Sequence, residues 1–184
     1  MQKFFENILD WIYKKKCYFC KSSKEAVRMC SKCYEKLEHL PVKVNRIVEG
    51  KNVYCAGVYS KELQKLIRGL KYHNQRDLAF FLAKFMAEYF EKINDKETFE
   101  VVPVPIYIKR EKKRKYNHMN LVGEEFCKLT SNTFNKNLIE RIKDTKPQYK
   151  LKRNERIKNL SNAFKVHKEN YGGKTILLID DICT

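Results

Sequence analysis

The sequence predicts an α/β fold, a parallel sheet joined by crossover helices and preceded by a small four-cysteine module. Three observations carry this. From residue 46 onward, segments of strand character alternate with segments of helical spacing. The last apolar run, Lys174 to Ile179, leads directly into two adjacent carboxylates, Asp180 and Asp181. Open α/β sheets place their ligands in the crevice beyond such strand ends. Finally, four of the seven cysteines form two close pairs near the start of the chain.

The elements follow in order. Phe4, Phe5, Ile8, Leu9 and Ile12 have the spacing of a short amphipathic helix, expected to pack on the rest of the protein. Glu6 and Asp10 interrupt it, which excludes the apolar centre of a signal peptide. Residues 1–45 read as this helix plus the cysteine module, and 46–184 as the sheet domain. Pro41 to Asn52 is polar enough for a linker or weak strand, and Val53 to Tyr59 is rich in β-formers. Ser60 can cap a helix carrying Leu63, Leu66, Ile67 and Leu70 on one face. Asp77 can cap the next, where Leu78, Phe81, Leu82, Phe85, Met86, Tyr89 and Phe90 make a core stripe. A short strand is expected from Phe99 to Val104, a helix from Leu121 to Leu129, and a fully apolar, buried strand after the Gly172-Gly173 break.

With 184 residues, 43% of them hydrophobic, the chain can bury a real core, which excludes a disordered tail. Its 39 Lys+Arg against 22 Asp+Glu give +17, more than solubility requires, and point to a polyanionic partner. Nucleic acid is the leading candidate; a ribosome-like or membrane-surface role would use the same charge. Much of the excess is local, because Pro103 to Lys168 holds 18 Lys+Arg and 6 Asp+Glu. Its densest part is Lys109-Arg110-Glu111-Lys112-Lys113-Arg114-Lys115, followed by Tyr116-Asn117-His118. Those cations could hold a pyrophosphate or a nucleic-acid backbone, with Tyr116 available to stack on a base. A second array runs from Gln148 to Phe164; Arg156 and Asn159 share a helical face there, and Phe164 is read as the anchor returning the chain to the core.

Cys17-x2-Cys20 and Cys30-x2-Cys33, separated by nine residues, offer four thiolates in two knuckles. Four soft ligands arranged tetrahedrally are what structural zinc favours, and a filled shell leaves no position for a catalytic water. A module of this size cannot bury enough apolar surface to fold without such a staple. The odd cysteine count, the absence of a secretory signal and the lack of a bilayer-spanning apolar run argue for a reducing cytoplasm. Cys55, Cys127 and Cys183 are read as plain buried thiols.

Taken together, the two knuckles, Leu70-Lys71-Tyr72, the Val102-Pro103-Val104-Pro105 strand end with Arg110 and Arg114 after it, Tyr116-Asn117, the Gln148 to Phe164 array and the Leu178-Ile179-Asp180-Asp181 strand end resemble the ComF family of competence proteins. The resemblance runs from about Lys16 to Thr184. It implies a type I phosphoribosyltransferase-like domain behind a zinc module, and a cytoplasmic role in natural transformation, handling single-stranded DNA. By the same resemblance, Asp180 and Asp181 would face the ribose of phosphoribosyl diphosphate through Mg²⁺. Thr184 would open the 5′-phosphate turn, and Arg110 and Arg114 would lie toward the pyrophosphate. Lys109, Arg110, Lys112, Lys113, Arg114, Lys115, Tyr116 and Arg156 would meet nucleic acid. Other DNA-uptake proteins are the remaining candidate partners.

The chain departs from the family in two places. Where the family reads Arg-Gly-Phe-Asn-Gln, this sequence has Arg114-Lys115-Tyr116-Asn117-His118. The glycine-containing turn, helix and final strand that follow Thr184 in the family are not in this sequence, so the carboxyl end of the fold is expected to be missing. Because backbone N–H groups of that turn would hold the phosphate, phosphoribosyl transfer stays open and catalysis by this chain is disfavoured.

Overall fold

The computed structural model describes residues 15–94, 96–145 and 151–183. The amphipathic amino-terminal segment, Gln148 and Thr184 lie outside them, as does the Arg156 side chain. The elements are α1 (Ser31–Tyr34), β1 (Arg46–Val48), β2 (Lys51–Val53), α2 (Lys61–Tyr72), α3 (Ala79–Ile93), β3 (Glu100–Pro103), α4 (Ile108–Arg114), α5 (His118–Thr130), β4 (Thr133–Phe134), β5 (Ile139–Arg141), α6 (Arg153–Leu160), β6 (Phe164–Val166) and β7 (Ile176–Ile179).

The central sheet is parallel, in the order β4-β3-β7. Glu100 pairs with Ile176 and Pro103 with Ile179, and the Val104 N–H donates to the Ile179 carbonyl at 2.9 Å. That register brings Pro103-Val104-Pro105 and Asp180-Asp181 out side by side at one edge of the sheet. Two further pairs, β1-β2 and β5-β6, are antiparallel.

Helix α2 begins where Ser60 accepts a hydrogen bond from the Leu63 N–H at 3.3 Å, and it buries Leu63, Leu66, Ile67 and Leu70. Asp77 does not cap the next helix. It lies inside a 3₁₀ turn, Arg76–Leu78, whose tight geometry feeds directly into α3. The stripe on α3 is core as expected: Leu78, Leu82, Phe85, Tyr89 and Phe90 are buried, and Phe90 meets Phe99 and Phe126 edge-on. Cys17, Met29, Cys30, Cys33 and Leu37 join that same core, so the cysteine module packs on α2 and α3.

Two strand expectations fail for physical reasons. Val53 to Tyr59 is not a strand beyond Val53; Gly57 makes a single bridge to His39, and a Cβ there would sit 2.5 Å from the Phe85 ring. Packing against α3 thus displaces β pairing. β7 is half open, with Ile176 and Leu178 exposed and Ile179 buried. Its Leu177 and Ile179 face meets the core, and among the described residues nothing covers the Ile176 and Leu178 face.

Candidate functional site

The four knuckle sulfurs lie within 4.8 Å of one another, with Cys17, Cys30 and Cys33 buried and Cys20 exposed. Short-range turns bring them there. Lys21 N–H donates to the Cys17 carbonyl at 2.9 Å and Cys33 N–H to the Cys30 carbonyl at 3.0 Å, while Lys21 closes its knuckle at φ +67°. The Cys20 and Cys30 sulfurs are 3.6 Å apart, close to the roughly 3.8 Å edge of a tetrahedron built on zinc–sulfur bonds. The donors are electrostatically unequal. Burial disfavours the Cys17 thiolate, but backbone N–H groups of Cys20, Cys30 and Phe19 outweigh it and bring the thiol down to about 6. Burial and then the neighbouring sulfurs push Cys33 up to about 12. A divalent cation at the centre would let all four ionise together. The donor set and spacing therefore fit a metal ion such as zinc.

Beyond the carboxyl end of β7 the two acids divide. The Asp181 side chain is buried: its Oδ2 accepts from Lys71 Nζ at 2.5 Å and from His118 Nε2 at 2.7 Å. Asp180 is exposed at the surface, and its Oδ1 accepts the Asp181 N–H at 2.9 Å. Crowding by the surrounding protein, and then the Asp181 charge, raise the Asp180 carboxyl to about 6. Burial acts the same way on Asp181, but His118 and Lys71 reverse it and hold that carboxyl below its usual value. His118 titrates below its ordinary range because burial outweighs the attraction of Asp181. Neutral His118 can thus donate from Nε2 while Nδ1 faces Arg114 Nη1 at 3.5 Å. Asn117 caps α5, accepting from the Met119 N–H at 3.0 Å, and this fixes His118 at the first helical position. No signal in the sequence pairs Lys71 or His118 with an acid, although Lys71 lies in a stretch that carries the family resemblance and His118 stands where the chain departs from it.

The basic run forms helix α4, which splits its cations by face. Lys109, Lys112, Lys113 and Lys115 are exposed, whereas Arg110 and Arg114, four residues apart, turn inward. Arg110 donates to the Thr145 carbonyl and lies 3.7 Å from Asp144. Arg114 lies over the Tyr72 ring at 5.4 Å. Lys115, in the family's glycine position, adopts φ +65° and ends the helix in the left-handed conformation that glycine would take freely. Tyr116, expected to offer a ring to a base, is buried instead. Its hydroxyl donates to the Leu70 carbonyl at 2.5 Å, and the Arg76 guanidinium covers the ring at 4.6 Å.

Arg141, which no sequence motif marks, donates to Thr145 Oγ1 and covers the Phe164 ring at 5.6 Å. The turn at Thr145 therefore holds two arginines. Phe164 itself is exposed, and the residue that returns the chain to the core is the fully buried Ala163. The chain around Arg156 is helical, as α6.

With this geometry in view, comparison with known proteins gives one relative. Competence protein F of Haemophilus influenzae is 25% identical over 180 residues, an alignment that covers 91% of this chain and 78% of the relative. No protein-family model matches the chain, and no solved structure matches it. Among the described residues, no helix is long and apolar enough to cross a membrane.

Proposed function

We propose that this chain is a ComF-type competence protein that handles single-stranded DNA in the cytoplasm during natural transformation. The observation that carries the reading is its similarity to Competence protein F across 91% of the chain. The charge of +17 and the exposed lysines of α4 support it, because a flexible polyanion is drawn to clustered, solvated cations beside a sheet edge. Lys109, Lys112, Lys113 and Lys115 form the first contact surface, with Arg156 on α6 as a further phosphate partner. Cys17, Cys20, Cys30 and Cys33 hold structural Zn²⁺.

The strand-end acids support a phosphoribosyl-diphosphate-type site beside that surface. Asp180 is the outward carboxylate and would meet a ribose or Mg²⁺ first. Asp181 would act from within, tied to Lys71 and His118. Arg110 and Arg114 would balance a pyrophosphate, and Thr184 would open the phosphate turn.

The test is equilibrium binding of a labelled single strand over a salt series. Each neutralised phosphate should contribute about −0.7 to the log–log slope. Replacing Lys109, Lys112, Lys113 and Lys115 together by Gln should make that slope about 3 units shallower. An affinity indifferent to salt would remove the reading.

A further inference from the structure

We propose that the cleft between the end of β3, the start of α5 and the β5-β6 pair takes an unstacked base of a single strand, an inference that rests on the DNA-handling reading above. The cleft measures about 490 Å³, within the roughly 300–1,000 Å³ typical of small-molecule sites. Its apolar walls come from Pro103, Pro105, Ile108 and Ile139, rigid or branched surfaces against which a flat ring can lie.

Its polar groups divide into occupied and open ones. Asn117 is committed to capping α5, Glu140 is paired with His167 at 2.9 Å, and Arg141 is bound to Thr145. The side-chain amides of Asn120 and Asn137 make no hydrogen bond among the described residues. An amide presents a donor and an acceptor side by side, which is the pattern along a base edge.

Charge favours the base over the phosphate as the part that enters. Lys136 and Arg141 are matched in number by Glu111 and Glu140 in the lining, and His167 is held between Glu140 and Glu169, so the cleft carries little net charge to draw an anion in. A neutral, flat, polar-edged ring suits it, while the exposed Lys136 is placed at the surface to meet the adjoining phosphate.

Binding of the full chain to a mixed-sequence single strand and to an abasic strand of equal length tests this, read by fluorescence anisotropy. The strand with bases should bind about tenfold tighter. The double variant Asn120→Ala with Asn137→Ala should shrink that preference to within about twofold and leave abasic binding unchanged. An unaltered melting curve for that variant separates lost recognition from lost fold. Equal affinity for the two strands overturns the base site and leaves the DNA reading standing. A preference that survives in the double variant overturns its placement in this cleft. Failure to bind either strand overturns the DNA reading and the site together.

Discussion

The cysteine cluster and the strand-end acids concentrate like groups in opposite ways. Four sulfurs converge within 4.8 Å, and beyond the backbone N–H groups that favour the Cys17 thiolate the described residues offer them no cation, so an external one is needed to ionise all four together. Of the two carboxylates, Asp181 meets partners the chain already owns, because the Lys71 ammonium and the His118 ring both reach it. The first centre would be completed by a cation from solution, whereas Asp181 finds its partners through folding. Losing a ligand atom from the first should therefore cost a metal, whereas losing a partner from the second should cost a buried charge its compensation.

The largest effect expected is at the sulfurs. Cys33→Ser removes a buried ligand and should unfold the module and the core shared with it, visible as lost zinc stoichiometry and loss of the cooperative melting transition. Next comes Lys71→Met or His118→Leu, each of which leaves Asp181 with one partner fewer in a buried site. Urea unfolding should show a cost of about 3 kcal/mol for either. His118→Gln, the amide found in the family resemblance, should recover most of that loss, because an amide N–H can also donate to the acid.

Acid titration sharpens the contrast between the two carboxylates. Asp180 has its folded value raised from 3.8 to about 6, so the folded state resists its ionisation. The stability associated with keeping it protonated is full below its ordinary value and is lost as pH rises through about 6. Asp181 has the opposite sign: its lowered value contributes stability above the ordinary range that disappears on acidification. Asp180→Asn should therefore gain on the parent as pH climbs from 3.8 to about 6 and hold a level advantage above that, with urea midpoints as the readout. A gap that shrinks with rising pH would contradict the assignment. The smallest effect is Lys115→Gly, expected to stabilise by about 1 kcal/mol by relieving the left-handed backbone at φ +65°.

What is legible in the sequence follows the same division. The knuckles are legible because ligand spacing is local: nine residues separate the two pairs, and each closes in a single turn. The α2 cap at Ser60 and the α3 stripe are legible for the same reason. The partners of Asp181 are not, since Lys71 comes from α2 and His118 from α5, both far from the acid along the chain. Tyr116 misleads because its sequence neighbours are six cations, while its own environment is the Leu70 carbonyl and Arg76. Exposure of β7 is equally hidden, because an apolar run does not say whether one or both faces will be covered.

Thermal unfolding of the full chain with and without a zinc chelator tests the contrast most directly. The account predicts one zinc per chain, a midpoint lower by more than about 10 °C once it is removed, and recovery with Zn²⁺ but not Mg²⁺. An unchanged midpoint in chelator, with no metal released, would contradict it.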